Sequence, residues 1–202
     1  MDNCNIHDKQ KLITQYVIPS LGSQLSEDQG FITQLILHSR LILSIKNQQI
    51  ETPGPFEDAY VWFSIDAMVH SYYFCPHRFV KKGTRIWKKR EFILFTSCLL
   101  DQQLRTDYLE MLENGRMIFI KYAHVLSLME RYPELENQIK LVSINNERYY
   151  HNRNLMLNKP PVERVRQLIA ENPLFVNSTS RSIQAMHVNL TRNGYANQLK
   201  KL

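Results

Sequence analysis

From Arg148 to Leu202 the sequence carries nine Lys/Arg and two acids, a balance of +7 in a chain whose net charge is +6. Cations gathered at one end point to a polyanion partner, whose phosphates they would neutralise. A solvated basic face is the other reading that charge alone allows. The first 147 residues are about neutral, with 16 cations against 17 acids. A second basic run, Phe74–Arg90, holds seven cations and no acid and reads as a hairpin with a solvated tip and a turn near Gly83. Cys4, Cys75 and Cys98 are too few and too far apart for a disulfide framework, a structural zinc site or an iron–sulfur cluster. Each is read as a small buried or surface residue. Cys75-Pro76-His77 offers haem ligands in principle, but a turn explains it better. No metal site is expected. Enzyme chemistry lacks its usual supports: no Gly-rich phosphate loop, no paired-carboxylate motif and no G-x-S-x-G elbow. Cys98 could meet a histidine only by accident of folding, so no catalytic residue is assigned.

The elements that would position the basic end follow from periodicity. Hydrophobic residues make up 44% and charged residues 22% of the 202, an ordinary globular balance. No apolar run reaches the ~18 residues of a membrane span. The polar start, Met1-Asp2-Asn3-Cys4-Asn5, has no apolar leader core, so a cytoplasmic location is expected. Leu12, Ile13, Tyr16 and Val17, then Phe31, Ile32, Leu35 and Ile36, have helical spacing, separated by Pro19 and Gly22. Ser26 and Gln29 look like a capping box for the second stretch. Between roughly 40 and 120 the period falls toward two. Tyr60–Ile65, Met68–Phe74 and Ile86–Thr96 read as strands of a sandwich or barrel-like roll. Glu134–Asn158 then runs 25 residues without Gly or Pro. Leu135, Val142, Tyr149 and Met156 recur every seven residues in it, as in a helix pairing across a dimer axis; a surface helix buried on one side is the other reading. Asn158-Lys159-Pro160-Pro161 is the clearest boundary. Short helices follow over 161–172, 180–187 and from Thr191 onward.

This order resembles the Crp/Fnr family of transcription regulators, and particular residues strengthen the likeness. Gly54 followed by Tyr60–Ile65 is similar to the family's turn glycine and aromatic roll strand, with Asp66 where a second, left-handed glycine stands. Met111-Leu112-Glu113-Asn114 before Met117–Ile120 is similar to the "A-L-E-D" turn and last roll strand. Leu126 through Leu135 resembles the approach to the dimer helix. Pro161–Val165 and Glu171-Asn172-Pro173 resemble the "E-R … E-N-P" helix of short Bacteroidetes-type members. The resemblance implies an α+β chain: a double-stranded β-roll (jelly roll) over 1–133, a dimerisation helix over 134–158 and a helix-turn-helix domain over 159–202.

It also implies roles. A helix-turn-helix needs a small residue in its first helix and a tight turn four residues later, which Ala185 and Asn189 supply. Thr191 would cap the recognition helix. Arg192, Asn193 and Asn197 would face base edges, and Lys200 and Lys201 phosphates. Gly194 would lie inside that helix, and His187 and Gln198 at positions where apolar residues pack. In cyclic-nucleotide-binding relatives a Glu takes the ribose and an Arg-Thr pair the phosphate. Glu91, Arg105 and Thr106 look like that set, the alternative for Arg105 being an ion pair with Asp101 or Asp107. Arg90 stands at the cassette's glycine, and Asp107 follows the pair, so neither a cyclic nucleotide nor another cofactor is expected. The reading is a dimeric, DNA-binding transcription regulator with a degenerate effector roll, which leaves room for a small-molecule effector and no place for a membrane. The alternative is a sensor or protein-interaction module of the same fold that does not bind DNA.

Overall fold

A computed structural model describes the backbone of residues 3–202 and the side chains from His7 onward. Met1, Asp2 and the Cys4 side chain, on which the expectations about the N-terminus fall, lie outside the described residues. Helix α1 (Asn3–Leu12) continues through one π turn and one 3₁₀ turn to Gly22, and α2 (Ser23–Glu27) leads to α3 (Gln29–His38). The cap of α3 is Asp28, whose carboxylate accepts from the Phe31 N–H at 2.9 Å. Ser26 instead donates to the Ser23 carbonyl, so the expected capping box begins two residues too early.

Eight strands follow: β1 (Arg40–Ser44), β2 (Gln49–Glu51), β3 (Tyr60–Ser64), β4 (Val69–Cys75), β5 (Val80–Trp87), β6 (Phe92–Ile93), β7 (Tyr108–Met111) and β8 (Gly115–Lys121), with α4 (Thr96–Asp101) between β6 and β7. They form two antiparallel sheets, β1-β8-β3-β6 and β2-β7-β4-β5. Alternation along β3 explains the layers. Trp62 points between the sheets toward Trp87 and Leu109, while Val61 and Phe63 point outward to a core made with the N-terminal helices.

Two turn expectations are corrected. The basic hairpin reverses at Pro76–Phe79, with Cys75 paired to Val80, and Gly83 lies within β5. Asp66 is not left-handed; its carboxylate accepts from the Arg116 N–H and pairs with the Arg116 guanidinium at 2.6 Å.

Helix α5 (Tyr122–Arg131) ends before Pro133, which opens α6 (Pro133–Leu157). The heptad stripe of α6 is spent within the chain. Leu135 joins the N-terminal core with Val142 packed against it, and Met156 joins a C-terminal core. The Tyr149 hydroxyl accepts from the Ile86 N–H at 3.2 Å. These four residues therefore face the chain's own roll and C-terminal helices. The exposed apolar residues of α6 are Leu141, Ile144 and Leu155, each at least 50% exposed. With exposed Arg148 and His151 they form a 3-4 stripe on a different flank.

Helices α7 (Pro161–Glu171), α8 (Pro173–Ser178), α9 (Arg181–His187) and α10 (Arg192–Leu199) complete the chain. Their core of Val165, Leu168, Phe175, Ala185, Val188 and Tyr195 is continuous with Met68, Ile86 and Leu112 of the roll. No helix of the described residues is long and apolar enough to cross a membrane.

Candidate nucleic-acid interface and roll cavity

Sequence punctuation builds the C-terminal site. Ser180 caps α9 by accepting from the Ile183 N–H, and Thr191 caps α10 by accepting from the Gly194 N–H at 3.0 Å. Between them Asn189 adopts φ +54°, a conformation Asn tolerates better than most residues. The Leu190 N–H donates back to the Ala185 carbonyl at 3.0 Å. Ala185 is buried, so a small side chain and a left-handed Asn together let α10 cross α9. Gly194 is the third residue of α10, not an interior one. A Cβ there would stand 3.1 Å from the Thr191 hydroxyl, so the glycine leaves room for the cap.

Arg192, Asn193, Asn197, Lys200 and Lys201 are all exposed along and just beyond α10, and none is ion-paired among the described residues. From Asn172 to Leu202 the sequence contains no acid. The surface thus offers one guanidinium and two amides for base edges and two ammonium groups for phosphates, and the segment that builds it contributes no acidic side chain. The Thr191 hydroxyl accepts in the cap and keeps its own proton to donate.

Sequence reasoning missed how α9 is held. His187 is fully buried, and its Nε2 lies 3.1 Å from His70 Nδ1 on β4. On the other side of His70, Glu110 on β7 stands 3.5 Å from Nε2. Burial first, then His70 and Arg153, hold the His187 imidazole well below its usual range. Arg153 on α6 donates to the Gly83 carbonyl. A Cβ on Gly83 would come within 2.6 Å of the His187 ring, so the strand glycine marks a close backbone approach. The only sequence signal was a histidine at a position suited to an apolar side chain.

The second site is a cavity of about 450 Å³ between the roll and α6. Thr84, Thr96, Ser97 and Thr106 line the roll side, and Ser143, Asn146 and Tyr150 the helix side. Its ionisable wall is Asp101, Asp107 and Glu147, with no Lys, Arg or His. Of the three residues read as a nucleotide cradle, only Thr106 reaches it. Arg105 is 5% exposed, with Nη1 3.2 Å from Glu51 and Nε and Nη2 donating to the Thr52 carbonyl. Its partner is therefore Glu51, not Asp101 or Asp107. Glu91 accepts from the Lys88 N–H. Arg90, at the cassette's glycine, retains φ +66° and lays its guanidinium 4.8 Å from the Tyr16 ring centroid. Asp107 accepts from the Thr84 and Thr106 hydroxyls. Arg85, behind the wall, is tied to Asn146 and stacked between Trp87 and Tyr149.

No family model matches the chain, and no curated protein matches it. Solved structures do. FixK2 from Bradyrhizobium japonicum is 14% identical with a TM-score of 0.69, over 81% of this chain and 84% of that one. The c-di-GMP-responsive global regulator CLP from Xanthomonas campestris is 15% identical with a TM-score of 0.71, over 86% and 91%. A regulator of the Crp/Fnr family from Eubacterium rectale is 10% identical with a TM-score of 0.74, over 86% and 82%. The chain has the fold of the Crp/Fnr transcription regulators.

Proposed function

We propose that this protein is a dimeric transcription regulator that reads palindromic DNA with α10. The observation that carries the reading is the capped helix of Thr191–Leu199, with Arg192, Asn193 and Asn197 exposed on a segment without acidic residues. Burial of those side chains would have favoured the interaction module; they are in solvent. The dimer is assigned to the flank of α6 that carries Leu141, Ile144, Arg148, His151 and Leu155, because its heptad spacing is free of intrachain packing. The roll acts as the sensing half without a cyclic nucleotide: the cavity presents carboxylates where a cyclic phosphate would need a cation. A gel-shift series against the protein's own upstream DNA, with a salt titration, tests the reading. Sequence-dependent binding that weakens steeply with salt supports it. Equal, weak binding to every duplex makes the interaction module the better reading.

A further inference from the structure

Another cavity, of about 350 Å³, is lined by Leu37, His38, Arg40, Tyr60, Phe119, Lys121 and His124, and its chemistry is opposite to that of the acidic one. Four elements meet there. His38 ends α3, Arg40 begins β1, Lys121 ends β8 and His124 lies in the first turn of α5. Sheet register places them together: Arg40 is opposite Phe119, and Lys121 is opposite Tyr60. Residues 119 and 121 share a face of β8, so Arg40, Phe119, Lys121 and Tyr60 lie side by side. The rings of Tyr60 and Phe119 meet edge to face at 5.1 Å and form an aromatic floor. The His38 and His124 rings stack at 4.2 Å.

The cavity wall carries no carboxylate, and neither Arg40 nor Lys121 is ion-paired among the described residues. Lys9 of α1 adds a further cation behind it, donating to the Ile36 and Ser39 carbonyls. Five basic groups thus converge, and none of them is ion-paired among the described residues. Two of the five are shifted. Burial, then Arg40, holds Lys9 below the ordinary lysine range. Burial, then His38 and Lys121, holds His124 below the ordinary imidazole range. An anion in the cavity would offset the like-charge part of both.

We propose that this pocket binds a phosphate-bearing small molecule, its dianion held by Arg40, Lys121 and the two imidazoles and its apolar part resting on Tyr60 and Phe119. A dianion fits better than a carboxylate because two fixed cations and two proton-accepting rings face one space. The volume exceeds the needs of inorganic phosphate alone and leaves room for a ring-sized substituent. The other charged group near the floor is Glu51, which accepts from the Tyr60 N–H and is engaged by Arg105 inside the roll. The inference does not depend on α10 reading DNA.

The test uses the full chain with inorganic phosphate, pyrophosphate and phenyl phosphate, followed by calorimetry and by the His38 and His124 ring resonances. Phenyl phosphate should bind more tightly than inorganic phosphate and move both histidine resonances. The Arg40→Gln/Lys121→Gln double variant should lose at least tenfold in affinity while keeping its melting curve. If that variant fails to fold, Lys121→Glu alone, exposed at a strand end, should lose binding by a similar factor. Undisturbed histidine resonances at millimolar ligand would overturn the proposal, as would affinity unchanged in the folded variant. Displacement of phenyl phosphate by a short DNA duplex would also overturn it, since the face would then serve nucleic acid.

Discussion

His70 Nδ1 and His187 Nε2 meet at 3.1 Å, joining a strand of the roll to the first helix of the helix-turn-helix. One ring must donate and the other accept, so the contact needs at least one neutral imidazole with its proton on the right nitrogen. Both rings are buried, and Glu110 on β7 and Arg153 on α6 are the charges beside them. Burial alone would raise Glu110, but hydrogen bonds and charge from His70 leave it below its usual value.

Acid should loosen this joint. The folded pKa of His187 is depressed, so the unfolded chain binds the proton first. The contribution is fully present above the unfolded value, near 6.5, and is lost as pH falls below it, at up to ~1.4 kcal/mol per unit. Glu51 runs the other way: burial raises its carboxyl to about 7 despite Arg105, so its effect weakens the fold as pH rises from 4.5 to 7. A comparison of variants separates the two. Thermal midpoints of wild type and His187→Gln, measured from pH 8 to 5, should converge at low pH, because glutamine does not titrate. Parallel curves would refute the assignment.

Gly83→Ala is expected to act at the same joint from the other side. The new methyl would meet the His187 ring at 2.6 Å, and overpacking of that kind costs about 1–3 kcal/mol. Protease cleavage in the Asn158–Pro161 connection should become faster while the roll's own signals persist. A variant cleaved at the wild-type rate would mean that α9 is not held by this contact.

Much of the architecture is legible in the sequence because it rests on local rules. Pro160-Pro161 stops one helix and starts the next, Asn189 supplies a left-handed turn, and the β-branched and aromatic run of β3 marks a buried strand. The failures share one cause, a tertiary partner that no local pattern encodes. The apolar residues that mark the α6 stripe in the sequence are Leu135, Val142, Tyr149 and Met156. Those are bulky because they fill this chain's own cores, while the free seam at 141, 144, 148, 151 and 155 is diluted by Arg148 and His151. Gly83 looks like a turn residue until His187 is known to lie against it. Arg105 looks like a phosphate ligand until Glu51, more than fifty residues earlier, is found beside it.

Arg105→Ala should therefore damage the fold rather than a ligand site. It would leave Glu51, 3% exposed at its side chain, with no ion partner; burial then drives that carboxyl further toward its neutral form, and the loss is about 1–3 kcal/mol for buried polar groups left short of partners. Calorimetry should detect no cyclic AMP binding in wild type, and melting should show the variant strongly destabilised. Micromolar cyclic AMP binding to wild type would contradict the description of the cavity.

The two flanks of α6 should respond differently to charge. Leu141→Glu and Ile144→Glu place a carboxylate on the exposed stripe; each should give monomer in sedimentation with little change in melting. Val142→Glu inserts charge against the N-terminal core and should cost about 1–3 kcal/mol of stability. If Leu141→Glu leaves a dimer intact, the partner lies on another surface.

The DNA prediction joins these parts. A dimer through the 141–155 stripe would carry two copies of α10, so binding should prefer two half-sites about 34 Å apart. Arg192 and Asn193 occupy the first turn of α10, where recognition helices approach base edges. Arg192→Ala should cost about 1–3 kcal/mol and relax preference at one base position, as expected for a guanine contact. Lys200→Ala and Lys201→Ala lie at and beyond the helix end. Each should weaken all sequences alike and reduce the salt dependence by about one phosphate, because phosphates carry no sequence information. Leu141→Glu should abolish the spacing preference while leaving half-site binding, since each α10 is built within one chain. If Arg192→Ala and Lys201→Ala behave identically across a panel of duplexes, α10 serves only as a basic surface and base readout is refuted.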